Sequence, residues 1–216
     1  MKAMVIFSGG MDSATLLYHF KQEGYEVEAL GVDYGQRHAK ELLYAQAFAK
    51  KMGITYDVLN MQSMGKFLIG SSQTDNSVPV PHGHYAAENM KLTVVPNRNM
   101  LMLAAAGAVA LARKCDVLAY GAHAGDHTIY PDCRPGFIQI MREAFLNCDW
   151  TPLELLVPFE NWSKGDIAKY GLRLGVPYEL TWTCYEGGVS PCGLCGSCTE
   201  RAEAFREAGA KDPARK

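Results

Sequence analysis

The chain has 216 residues, of which 48% are hydrophobic and 20% charged, with 21 glycines and 10 prolines. That length supports one domain, or one domain with a small appendage, burying roughly 70% of its unfolded-chain surface, and the composition excludes disorder and collagen-like structure. Lys and Arg number 21 against 23 Asp and Glu, so the net charge of −2 provides no overall basic field of the kind that holds nucleic acid by neutralising phosphates.

In chain order, Met4, Val5, Ile6 and Phe7 are an unbroken apolar run, the pattern of a short buried strand. Ser8-Gly9-Gly10 then makes a turn, and Asp12 to Gln22 places Ala14, Leu16, Leu17 and Phe20 at helical spacing. Glu26 to Val32 predicts a second strand, ending at Asp33-Tyr34-Gly35. His38 to Met52 predicts a helix with Leu42, Leu43, Ala45, Phe48 and Ala49 as its apolar residues and Gly53 as its stop. Thr55 to Leu59 reads as a third strand. Residues 60–95 contain Gly70-Ser71-Ser72, Pro79, Pro81 and two histidines but little periodicity, and loops of that length in compact domains are functional or mobile.

Asn99 to Lys114 predicts an apolar helix, Asp116 to Ala122 a fourth strand, and His123 to Pro135 a polar connection of the strand-to-helix kind. A helix from Gly136 to Asn147, a strand from Leu153 to Pro158, a helix capped by Ser163 and running to Leu174, and a last helix from Gly196 complete the order. Strands alternating with helices imply right-handed crossovers and a parallel sheet covered on both faces. The expected fold is therefore α/β, a doubly wound parallel sheet of about five strands. Ligands of such sheets bind at the carboxyl ends of the strands, where Ser8 to Ser13, Asp33 to His38 and His123 to Arg134 all fall.

The apolar start is too short for a signal sequence and is broken at once by Ser8-Gly9-Gly10. The longest apolar run, Met100 to Ala112, falls short of the ~20 residues of a membrane span. A cytoplasmic protein with no membrane association is expected. In a reducing compartment, Cys184, Cys192, Cys195 and Cys198 favour a tetrahedral metal over disulfides. Four thiolates leave no open position, which makes Zn²⁺ structural and gives the fold a small C-terminal zinc-binding helical appendage, residues 181–216 packed on an α/β domain of residues 1–180. An iron–sulfur cluster, a sulfur-carrying Cys-x-x-Cys and simple buried thiols are the alternatives. Cys115 and Cys148 end apolar helices and read as core residues, while Cys133 lies in the expected site loop.

In Ser8-Gly9-Gly10-Met11-Asp12-Ser13 the glycines let backbone N–H groups approach phosphate oxygens, the helix start adds its positive dipole end, and two hydroxyls donate. Asp12 would repel phosphate unless it caps the helix or meets Mg²⁺, so a metal–nucleotide complex is inferred. Neither the Walker ending nor the dinucleotide glycine spacing is present. The bland alternative is a glycine turn with Asp12 as cap. This loop resembles the SGGxDS motif of the N-type ATP pyrophosphatases, which cut ATP between its α and β phosphates to adenylate a substrate oxygen.

Further segments extend the likeness: Asp33-Tyr34-Gly35-Gln36-Arg37-His38, Val95-Pro96-Asn97-Arg98-Asn99, Tyr130-Pro131-Asp132-Cys133-Arg134, and Thr181-Trp182-Thr183-Cys184-Tyr185 before the three-cysteine run. Together they resemble the 7-cyano-7-deazaguanine synthase family from Phe7 to Arg201. Asn97 departs from the Gly more usual there, and Asn is the non-glycine residue that best tolerates a left-handed backbone. The resemblance implies conversion of 7-carboxy-7-deazaguanine and ammonia to the nitrile with two ATP, in queuosine synthesis, by a homodimer with no nucleic-acid partner. It implies ATP contacts from Phe7, Ser8, Gly9, Gly10, Met11, Asp12, Ser13, Ala14, Thr15, Leu16 and Leu17, and zinc on Cys184, Cys192, Cys195 and Cys198.

Asp12, Ser13, Arg98 and Asp132 are candidate catalytic residues. Arg37, Asn99, Asp126, Tyr130, Asp132 and Arg134 are candidate substrate contacts, the arginines for phosphate or carboxylate and Asp126 or Asp132 for the guanine-like edge. Solvated charges and turn caps are the bland readings of the same residues. His38, His123 and His127 could move protons. A tRNA thiolase of the same superfamily and a non-catalytic nucleotide-binding module remain as competing functions.

Overall fold

The structure, a computed structural model, describes residues 1–37 and 39–214; His38 lies outside the described residues. The elements are β1 (Lys2–Ile6), α1 (Met11–Gln22), β2 (Glu26–Asp33), α2 (Lys40–Met52), β3 (Thr55–Asn60), a single turn α3 (Gln62–Gly65), α4 (Arg98–Ala112), β4 (Val117–Ala119), α5 (Pro135–Leu146), β5 (Glu154–Leu156), α6 (Lys164–Leu174) and α7 (Gly196–Glu207). The strands form one parallel sheet in the order β3-β2-β1-β4-β5, with Val5 opposite both Ala29 and Ala119 and Leu118 opposite Leu155. The five expected strands are all present, β4 and β5 shorter than their apolar runs.

Period-two alternation in β1 serves two cores. Val5, with Phe7 just beyond the strand, packs with Leu17 of α1, Phe48 of α2, Ile167 of α6 and Phe205 of α7. Met4 and Ile6 face the other way, with Leu103 and Ala106 of α4 and Ile138 and Phe145 of α5. A side chain at Gly107 would run into the Phe145 ring, so this glycine allows α4 and α5 to approach closely. The stretch Glu88–Ala112 reaches a mean hydropathy of 1.3 over 18 residues but turns at Asn97 and packs Leu103, Ala106 and Ala110 against the sheet, which is the place of a core helix. Asn97 adopts the expected left-handed conformation, with φ +57°.

The chain steps from β1 outward through β2 to β3 and then returns to lay β4 on the other side of β1. That reversal opens a crevice between the connections that follow β1 and β4. Residues 60–95 are pinned rather than free. Ser71, Ser72, Gln73 and Met90 are buried, and His82 forms an antiparallel bridge with Cys195. Ser163 caps α6 as expected, exchanging hydrogen bonds with Asp166 in a capping box.

Candidate active site

A cleft of about 220 Å³ lies at the crevice, walled by the glycine loop, the end of β2, the start of α4 and the segment after β4. Gly9 has φ +89°, and a side chain there would strike the Glu41 carbonyl oxygen, so only glycine fits. The Ser8 hydroxyl accepts from the Gly10 N–H at 3.3 Å and lies 3.3 Å from the Ser13 hydroxyl, which also donates to the Gly10 carbonyl. Of the Phe7–Leu17 run, Ser8, Gly10, Asp12 and Ser13 line the cleft. Phe7, Met11, Ala14, Thr15, Leu16 and Leu17 are packed beneath it, Thr15 bonded to the Tyr178 hydroxyl.

Buried polar atoms without hydrogen-bond partners gather on this wall: Asp12 Oδ1, Gln73 Nε2, Arg98 Nε and the Tyr120 hydroxyl. Such atoms cost about 1–3 kcal/mol each unless a ligand satisfies them. The other Asp12 oxygen, Oδ2, lies 3.2 Å from Lys164 Nζ, which also donates to Glu200 Oε2 at 2.5 Å. Burial by itself would lower the Lys164 pKa. The carboxylates of Asp12, Glu200 and Asp126 outweigh it and hold the ammonium charged well above the ordinary lysine range. Asp126 accepts from the Tyr85 hydroxyl at 2.9 Å and from the His123 N–H at 3.4 Å. Burial would raise its carboxyl, but His123 and Lys164 keep it below the usual carboxylate value.

The remaining expected residues separate into those in the cleft and those beside it. Arg98, Asn99 and Asp126 line it; Arg37, Tyr130, Asp132 and Arg134 do not. Arg37 is spent on the 72–78 segment, donating to Ser72, Asn76 and Val78. Arg134 donates to the His127 carbonyl. Asp132 Oδ2 accepts from the Asn99 N–H at 2.9 Å, which caps the start of α4. The Tyr130 hydroxyl lies 2.6 Å from that of Thr93, and its ring lies below the Arg98 guanidinium.

Cys133 reaches the cleft as a buried thiol whose pKa burial pushes up strongly, with the Asn99 amide donating to its sulfur, so it is a poor nucleophile. Cys115 is buried as expected. Cys148 is exposed, because α5 ends just before it, and it is not a core residue.

Lys164, Glu200 and Glu41 escape a reading of the sequence. Lys164 looks like a first-turn lysine and Glu200 like one acid in an Ala/Glu/Arg-rich helix. The usable signal is the capping box at Ser163, which places Lys164 at the first position of α6.

The Sγ atoms of Cys184, Cys192, Cys195 and Cys198 all lie within 4.8 Å of one another. Metal–sulfur bonds of about 2.3 Å put tetrahedral sulfurs about 3.8 Å apart, so four thiols gathered within 4.8 Å need only a small contraction to form a closed metal site. The N–H groups of Leu194 and Cys195 point at Cys192 Sγ and that of Cys192 at Cys184 Sγ, the donors a ligating thiolate needs around it. The cluster sits under Val80 and Trp182, and Cys195 immediately precedes α7, the helix that carries Cys198 and Glu200.

The model of the family described as "Queuosine biosynthesis protein QueC" matches residues 2–209. The chain belongs to the QueC family. A 7-cyano-7-deazaguanine synthase from Methanoregula boonei is 54% identical over 99% of this chain and 98% of its own length. A synthase of the same name from Caldicellulosiruptor saccharolyticus is 49% identical over 99% of this chain and 94% of its own length. Among solved structures, NMN synthetase from Francisella tularensis superposes with a TM-score of 0.51 at 13% identity, covering 97% of this chain and 78% of that one, a likeness of fold.

Proposed function

We propose that the chain is an ATP-dependent carbon–nitrogen ligase that converts 7-carboxy-7-deazaguanine and ammonia to 7-cyano-7-deazaguanine. The carrying observation is the Asp12–Lys164 pair beside the glycine loop, a carboxylate with an unpartnered oxygen next to a buried cation, which suits Mg²⁺–ATP. A carboxylate is a poor electrophile. Transfer of AMP from ATP to one of its oxygens makes that oxygen a leaving group, ammonia displaces AMP to give the amide, and a second adenylation removes the amide oxygen to leave C≡N. Both carboxylate oxygens depart on AMP, and two diphosphates are released.

The loop N–H groups with Ser8 and Ser13 hold the departing diphosphate, Lys164 holds the Asp12 carboxylate in place, and Arg98 holds the substrate carboxylate. Asp12 would hold Mg²⁺, which screens the phosphate charges. The cysteine set would hold one Zn²⁺, a structural ion that fixes the start of α7, with residues 181–216 forming an appendage on the 1–180 domain. We further propose a cytoplasmic homodimer without a nucleic-acid partner; analytical ultracentrifugation tests the dimer.

Exchange of labelled diphosphate into ATP, measured with and without 7-carboxy-7-deazaguanine, tests the function. Exchange that requires the deazapurine, and not tRNA, is the expected result. Dependence on tRNA would mean a thiolase, and no exchange a binding module.

A further inference from the structure

Three carboxylates line the cleft among the described residues: Asp12, Asp126 and Glu41. The first two stand at the end that holds Lys164. Asp12 is paired with it, and Asp126 has both oxygens engaged by Tyr85 and by His123. Glu41, in the first turn of α2, stands at the other end, where the wall is made by Val32 and Tyr34 at the end of β2, Met102 of α4, and Gln36 and Gln73. Apolar and aromatic side chains with a few amide groups suit a flat heterocycle rather than phosphates.

Among the described residues, Glu41 receives one long hydrogen bond, 3.4 Å from the Gln36 amide. Gln36 itself is closed onto the β2 turn, accepting from the Tyr34 N–H and donating to the Val32 carbonyl, so it braces the carboxylate without using up its lone pairs. The neighbouring Lys40 is turned away, its ammonium held by the Gly188 and Val189 carbonyls and over the Trp182 ring.

We propose that Glu41 is the specificity residue that reads the paired N–H edge of the 7-deazaguanine ring, its two oxygens accepting from the ring N1–H and the 2-amino group. This assignment rests on the function proposed above and adds the residue that selects the heterocycle. Acceptor chemistry decides the partner. An ionised carboxylate offers acceptors only, which matches two adjacent donors. The corresponding edge of adenine offers one donor and one acceptor, which a carboxylate matches only when protonated. Asp132, the other acid the sequence offers for this edge, is occupied in capping α4.

The surroundings of Glu41 make the contact titrate. Burial raises its carboxyl to about 7, against the opposing pull of the Arg98 guanidinium and the Gln36 amide. Among the described residues, the other titratable groups bearing on it are the phenols of Tyr34 at the end of β2 and Tyr56 on β3, both pushed upward by burial and therefore neutral in the working range. The sign follows directly. The ionised form binds the edge, so the KM for the deazapurine falls as pH rises through about 7 and levels off above it.

The experiment is deazapurine-dependent diphosphate exchange by the full-length protein, wild type and Glu41→Gln, from pH 6 to pH 8.5, with the parent acid and with its analogue lacking the 2-amino group. In the wild type, the KM for the parent acid falls across neutral pH, and the analogue's KM is about ten-fold higher at alkaline pH. In Glu41→Gln the parent acid's KM rises about ten-fold, its pH dependence disappears, the penalty for the missing amino group collapses, and the KM for ATP stays within about two-fold. A change confined to the KM for ATP would assign Glu41 to adenine and overturn the proposal. So would a wild type indifferent to the 2-amino group, a result that needs no variant to fold. Wild-type protein showing no exchange with the parent acid refutes the function itself, whereas exchange with an unresponsive KM refutes only the role of Glu41.

Discussion

Replacing Lys164 with Met removes a buried ammonium from a cluster of acids. Lys164, Asp12 and Glu200 have side chains exposed by 10%, 20% and 10%, and the nitrogen lies 3.2 and 2.5 Å from its two carboxylates. Breaking a buried ion pair from one side costs about 3–5 kcal/mol; with Asp12 still touching water, about 3 kcal/mol is the reasonable figure. For a chain of this length the unfolding entropy is roughly 0.45 kcal/mol/K, so the expected fall in Tm is about 7 °C.

The pH dependence carries the electrostatic signature. Glu200 is already raised, first by burial, even with Lys164 present, and without the lysine's opposing pull its folded-state pKa rises further above the unfolded value. Stability from a raised group is present at low pH and lost as pH rises through the folded value, so the gap between variant and wild type widens from pH 5 to pH 8. Differential scanning calorimetry across that range measures it, with Lys164→Arg keeping most of the stability. A loss below about 2 °C, or a gap that ignores pH, would refute the idea that this lysine neutralises the cluster.

Other substitutions probe the remaining parts. Gly9→Ala strains a backbone at φ +89° and drives a methyl into the Glu41 carbonyl; it should cost about 1–3 kcal/mol and abolish diphosphate exchange, read by calorimetry and the exchange assay. Cys192→Ser should reduce bound zinc below one per chain by elemental analysis and lower Tm, since it breaks a closed four-thiolate set. Asp132→Ala should cost about 1 kcal/mol through the lost cap on α4 while leaving the deazapurine KM within about two-fold. Arg37→Ala should speed amide exchange in residues 72–78, which it pins by four hydrogen bonds, as measured by mass spectrometry.

What could be read in advance was set locally. The buried run of β1, the Ser-Gly-Gly turn, the capping box at Ser163 and the cysteine spacing each impose their geometry over a few residues, and each stands where its pattern placed it. Residues 60–95 gave no period because they are held by hydrogen bonds from Arg37 and by the His82–Cys195 bridge rather than by an apolar stripe. The buried acids were equally opaque. Glu41 and Glu200 sit on helices that look solvated in one dimension, and only the packing of α2 and α7 against the rest removes them from water. Arg37 and Arg98 belong to similar motifs, yet one is consumed by a loop and the other faces the cleft, a distinction made by the path of the chain.

Lys164 contacts both Asp12 and Glu200 and so ties the glycine loop to α7, the last helix of the described chain. During synthesis the glycine loop emerges first, its counter-ion Lys164 later and the lysine's second carboxylate, Glu200, last, so a chain still lacking α6 leaves Asp12 unbalanced and one lacking α7 leaves Lys164 short of a partner. Competence therefore arrives as a final event. A chain cut before residue 196 would retain all five strands but lack Glu200, and Lys164 would then answer to Asp12 and Asp126 alone.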